Sequence, residues 1–212
     1  KFGFLHKVPY QLEDMMTDTI GLLDALELDK VHVVGASMGG MIAQLIAIHH
    51  PKRLKTLTSI MSTTGYRALP PISAEVKKAI FTKPATSSYK DRFEYHMNKC
   101  RAIGGSKYPI ERLELEKRVK GMLDRGISSK GTLRQMLAVI FAADRTEKLK
   151  QVNTPTLVIH GEDDGLVHCN GGKETAKAIP NAHLKTYQGM GHDFPVELIP
   201  SIVNDIIVHT QK

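Results

Sequence analysis

One serine in this chain has surroundings that suit covalent chemistry. The stretch Gly35-Ala36-Ser37-Met38-Gly39-Gly40 follows the β-branched run Val31-His32-Val33-Val34 and precedes the apolar run Met41–Ile48. A serine hydroxyl attacks a carbonyl only when it stands clear of its neighbours and beside a base, and a sharp strand-to-helix turn puts it there. Such a turn crowds the positions two before and two after the serine, so Gly35 and Gly39 are both expected to be needed for their lack of a side chain. The following helix would aim its N-terminus at the reacting centre, leaving the Met38 N–H to donate to an oxyanion. A phosphate-binding turn is the competing reading. It lacks the Lys-Ser/Thr of a P-loop and the Gly-x-Gly-x-x-Gly spacing of a dinucleotide site.

A serine nucleophile needs a base and an acid, which in a strand–turn–helix setting of this kind follow it along the chain in the order acid, histidine. His192 lies in Gly189-Met190-Gly191-His192-Asp193, a glycine-rich loop after the last strand pattern, and is the expected base. His49, His50, His96 and His209 fall in or beside helical patterns and read as surface residues; His32 and His160 fall within strand patterns and read as packing residues. His168 comes too soon to leave room for an acid before it. The acid is expected in His160-Gly161-Glu162-Asp163-Asp164-Gly165, where spacing alone does not separate Asp163 from Asp164. Its carboxylate would fix the histidine tautomer and stabilise the imidazolium formed during attack.

The elements that must hold these groups read as alternating helices and strands. Tyr10–Leu28 carries apolar residues at three- and four-residue intervals; Lys30–Val34, Leu54–Met61, Thr154–His160 and Leu184–Gln188 read as strands. A helix from about Met38 is ended by Pro51. This alternation predicts an α/β fold with a mostly parallel sheet and helices on both faces. Between Pro70 and Asp144 the rhythm changes to helical patterns only, at Ala74–Phe81, Ser88–Ile103, Ile110–Leu123 and Ser129–Ala143. The expected organisation is a core over 1–69, a helical cap over 70–150 and a second core segment over 151–212.

The quoted serine turn, its continuation Met41-Ile42-Ala43-Gln44, then His50-Pro51 and Ser59-Ile60-Met61-Ser62-Thr63-Thr64-Gly65 resemble α/β-hydrolase-fold esterases of the anthracycline (aclacinomycin) methylesterase kind. The resemblance continues through Pro155–Asp164 and Gly189–His192, and is loose in the cap. It implies the α/β-hydrolase fold, a Ser37–Asp164–His192 triad and cleavage of carboxylic esters through an acyl-enzyme. It maps the acid to Asp164, three residues after Gly161 and three before Val167. The proline that commonly follows that valine is replaced by His168. It also implies about four strands and an oxyanion loop ahead of the serine strand, which this sequence does not contain. The chain thus reads as the C-terminal part of a longer fold, or as one whose uncovered strand edge pairs with a second copy. The second oxyanion donor would then come from elsewhere, with Lys1–Pro9 as one source.

Composition is compatible with this. With 42% hydrophobic and 24% charged residues in 212, the chain can bury a core, and no apolar run reaches the ~20 residues of a membrane span. The balance of 29 Lys and Arg against 22 Asp and Glu is dispersed and not interleaved with aromatics, so a solvated surface is expected rather than nucleic-acid binding. Two cysteines without ligand spacing indicate neither a metal site nor a disulfide framework, and with no leader pattern the expectation is a cytoplasmic protein without cofactor or metal. A small-molecule ester pocket is expected from Met61, Met136, Leu137, Ile140 and Phe194. The alternatives are a cofactor-free perhydrolase or C–C bond hydrolase with the same triad, and a binding protein that turns over slowly or not at all.

Overall fold

The computed structural model describes residues 8–211. Four strands, β1 (Val31–Ala36), β2 (Leu54–Ile60), β3 (Thr156–Gly161) and β4 (His183–Tyr187), form one parallel sheet in the order β1-β2-β3-β4. Parallel neighbours need crossovers, and helices supply them: α1 (Leu12–Ala25) precedes β1, α2 (Met38–His49) links β1 to β2, and α8 (Asn170–Ala178) links β3 to β4. α9 (Ile199–Thr210) follows β4. Between β2 and β3 run α3 (Ala74–Phe81), α4 (Tyr89–Ile103), α5 (Arg112–Asp124), α6 (Ser129–Ile140) and the single turn α7 (Thr146–Leu149).

α1 is shorter than its apolar pattern. Glu27 takes a left-handed backbone (φ 55°), and the N–H groups of Glu27 and Leu28 donate back to Asp24 and Leu23, a C-terminal cap that ends the helix before Leu28. α2 is buried nearly all round, with Met41, Ala43, Leu45, Ile46 and Ala47 packed among Leu12, Met16, Leu54 and Leu57. A second apolar cluster joins Ile60, Met61, Leu157, Ile159, Tyr187, Met190 and Ile202 beneath the C-terminal ends of the strands. α4 and α5 share a separate cluster of Met97, Leu115, Val119 and Leu123.

His209, expected at the surface, is buried at 3% exposure, its Nε2 lying 3.1 Å from the Leu57 carbonyl and 3.2 Å from that of Pro155. α9 packs on β2 and β3, so its last turn meets a carbonyl within β2 and the one just before β3 instead of water. His32, expected to pack inside a strand, is exposed on β1 and paired with Thr56 Oγ1 at 2.9 Å. Among the described residues β1 is an edge strand, and Val34 is 49% exposed on it. No helix among them is long and apolar enough to cross a membrane.

Candidate active site

The C-terminal ends of β1, β3 and β4 bring three side chains together. Ser37, the residue between β1 and α2, has φ 54° and ψ −119°, a backbone conformation that costs a non-glycine residue of order 1–3 kcal/mol and persists only if held from outside. The end of β2 holds it. The Ser37 N–H donates to Ile60 O at 2.8 Å, and Ser62 Oγ donates to Ser37 O at 2.8 Å.

Gly35 is crowded as expected: a Cβ there would lie 2.2 Å from the Gly39 carbonyl oxygen. Gly39 itself corrects the expectation, since a Cβ at that position would meet nothing within 4 Å. It contributes its backbone, and the second close approach falls one residue later, where a Cβ on Gly40 would stand 2.6 Å from Ser62 Cβ. Gly35→Ala is therefore expected to destabilise the protein by about 1–3 kcal/mol, and Gly39→Ala by well under about 1 kcal/mol, in denaturant titrations. Equal losses would mean that both glycines are crowded.

His192 is buried, its Nε2 2.9 Å from Ser37 Oγ and its Nδ1 2.7 Å from Asp164 Oδ2. A carboxylate can only accept, so the ring proton sits on Nδ1 and Nε2 is left to accept from the serine. Asp164 is 3% exposed; its Oδ1 accepts from the N–H groups of Leu166 at 2.9 Å and Val167 at 2.8 Å. Burial pushes its carboxyl up, but hydrogen bonds from His160 and His192 outweigh this and hold it down at about 2. The neighbouring acids face elsewhere. Asp163 Oδ2 accepts from the Ser106 N–H and hydroxyl, and Glu162 from Thr186.

The His192 loop is braced by the segment after α4. His192 N–H donates to Ile103 O at 2.7 Å and Lys107 N–H to Gly189 O at 3.3 Å. A Cβ on Gly105 would collide with Gly189 O at 1.9 Å, which is why two glycines meet there. Asp193 is half-buried beside this contact, its carboxylate oxygens shielded from solvent without a well-formed hydrogen bond, and burial pushes its carboxyl up against smaller opposing pulls from Arg118, His192 and the Gly191 amide. His168 Nδ1 accepts from Asn170 N–H at the start of α8 and takes no part in the cluster.

Met61 and Phe194 belong to the apolar cluster that also touches Ala36, next to Ser37. Met136, Leu137 and Ile140 lie on α6 outside that cluster, Ile140 being 50% exposed. A cleft of about 560 Å³ lies between α3 and α4 among Lys78, Lys83, Tyr95 and Arg101, and none of its lining residues belongs to the Ser37 cluster. Residues 1–7, within the segment named as a source of the second oxyanion donor, lie outside the described residues.

A profile of the α/β hydrolase fold matches residues 9–197, and the chain belongs to that family. Among curated relatives it is similar to a rhodomycin D methylesterase of Streptomyces sp. (strain C5), at 24% identity over 96% of this chain and 74% of that protein. A 2-hydroxy-6-oxononadienedioate/2-hydroxy-6-oxononatrienedioate hydrolase of Cupriavidus pinatubonensis is 26% identical over 81% of this chain and 59% of its own length. Among solved structures, a bromoperoxidase from Bacillus anthracis superposes with a TM-score of 0.76 at 23% identity, covering 96% of this chain and 75% of that one.

Proposed function

We propose that this chain carries the catalytic centre of a serine hydrolase that cleaves small-molecule carboxylic esters, with Ser37 as nucleophile, His192 as base and Asp164 as the orienting acid. The observation that carries this reading is the unbroken line Ser37 Oγ, His192 Nε2, His192 Nδ1, Asp164 Oδ2, at 2.9 and 2.7 Å. As Ser37 Oγ bonds to the ester carbonyl carbon, its proton passes to His192 Nε2, and Asp164 stabilises the imidazolium. The Met38 N–H, at the first position of α2 where the helix has no acceptor for it, donates to the oxyanion. His192 then gives the proton to the leaving alkoxide, and water repeats the sequence on the acyl-enzyme, releasing the acid and restoring Ser37.

The similarity to a methylesterase supports ester cleavage, and that to a C–C bond hydrolase supports the same triad with a different bond. We read α3–α6 as the cap over 70–150 and the site's setting as cytoplasmic, in keeping with the free thiols Cys100 and Cys169. Light scattering tests whether the free edge of β1 recruits a second copy.

A fluorophosphonate probe tests the central claim. Native protein is expected to be labelled on Ser37 and heat-denatured protein not, with labelling and p-nitrophenyl ester turnover both rising with pH through the neutral range, because His192 must be unprotonated to accept the serine proton. Absence of labelling would leave a binding protein of the same fold. Labelling without ester turnover would favour the C–C bond reading. A flat profile from about pH 5 to 9 would remove the histidine base.

A further inference from the structure

A second imidazole stands on the far side of the acid. His160, next to last in β3, is wholly buried, its Nε2 2.8 Å from the Val167 carbonyl and 3.3 Å from Asp164 Oδ2. The carbonyl accepts only, so the His160 proton is on Nε2, where it also faces the carboxylate. Nδ1 is buried without a partner, and an added proton there would find no acceptor. Room for this edge of the ring is made by α8: a Cβ on Gly172 would lie 2.6 Å from Nδ1. Packing and hydrogen bonding thus fix one tautomer in one place.

We propose that His160 is a positioning residue of the site, a fixed Nε2–H donor that shares the Asp164 carboxylate with His192 and sets the angle at which Asp164 meets the base. This rests on the assignment of His192 as base. Val167 links the two arms, its N–H donating to Asp164 Oδ1 and its carbonyl accepting from His160. Asp164 Oδ1 thus accepts from Leu166 and Val167, while Oδ2 accepts from His192 and has His160 Nε2 beside it at 3.3 Å. The titratable groups around Asp164 are His192, His160 and, one residue past His192, Asp193; α8 faces His160 with a glycine. Removing the His160 donor leaves more of the carboxylate's charge on His192, which then keeps its proton to higher pH.

The test uses three variants assayed with a p-nitrophenyl ester across the pH range. A glutamine amide nitrogen reaches the Nε2 position and an asparagine amide the Nδ1 position, so His160→Gln is expected to stay within about threefold of the parent in kcat, while His160→Asn and His160→Leu fall about tenfold or more with KM little changed. The acid limb of the pH profile should move upward in Asn and Leu and return in Gln. A folded Leu variant with the parent's kcat and acid limb would overturn the proposal. If Leu does not fold, the Gln and Asn pair decides, and equal behaviour of these two would overturn it as well. Failure of the underlying base assignment shows differently, as a parent protein with no acid limb at all.

Discussion

Ser37→Ala is expected to lower ester turnover by about 10⁴-fold or more while leaving the fold and its melting temperature essentially unchanged. The backbone that holds the strained turn does not involve the hydroxyl: Ile60 O and Ser62 Oγ grip the Ser37 peptide groups, and both contacts survive in alanine. The hydroxyl's partner is His192 Nε2, so its removal takes away the attacking atom without leaving a buried acceptor short of more than one bond. The measurement is kcat of the purified variant beside its thermal melt. Retained turnover would sink the assignment of Ser37, and lost folding would make the comparison one of stability.

Asp164→Asn should cost about 10³- to 10⁴-fold in kcat, and Asp163→Asn less than about tenfold. The asparagine presents an amide donor where His192 needs an acceptor, favouring the wrong tautomer, whereas Asp163 is exposed and turned toward Ser106. The opposite ranking would transfer the acid to Asp163. The same substitution has a signature in acid. The Asp164 carboxyl is lowered from 3.8 to about 2, so it favours the folded state above its unfolded pKa and loses that contribution as pH falls through the folded value. The lowering corresponds to about 2 kcal/mol, fully present above about pH 5 and lost toward about pH 2. Denaturant melts of parent and Asp164→Asn between those limits should show this slope in the parent alone.

The candidate site was legible because its residues sit where sequence signals are sharpest. A β-branched strand, a glycine, a serine and an apolar helix leave few ways to arrange Ser37, and a glycine-rich loop after the last strand isolates His192 from nine other histidines. Asp164 could not be told from Asp163 by spacing, since both lie at the same strand end; the resemblance pointed to Asp164, and what separates them in the fold is long-range, the Val167 and Leu166 amides on one and Ser106 on the other. The bounds of α8 were not marked in the sequence because the face it buries is Gly171, Gly172, Thr175 and Ala178, all small residues. α9 was legible only as a helical pattern around His209, its bounds blurred by the β-branched residues Ile202, Val203, Ile206, Ile207 and Val208. His160 was read as packing. Its position immediately before Gly161, in the strand whose loop carries the acid, was the signal that could have marked it. The Gly39 expectation failed for a local reason, since crowding at this turn passes to the helix residue facing Ser62.

The insertion of α3–α6 between two strands that lie side by side has a kinetic consequence. β2 and β3 pair residue for residue, Leu57 with Thr156 through Ile60 with Ile159, although the whole helical segment separates them along the chain. The helices form from local contacts, whereas this pairing must close a long loop before any of its hydrogen bonds is gained. Asp164 and His192 both follow that closure along the chain, so helical content is expected to develop early in refolding and probe labelling of Ser37 to return only with the slowest phase.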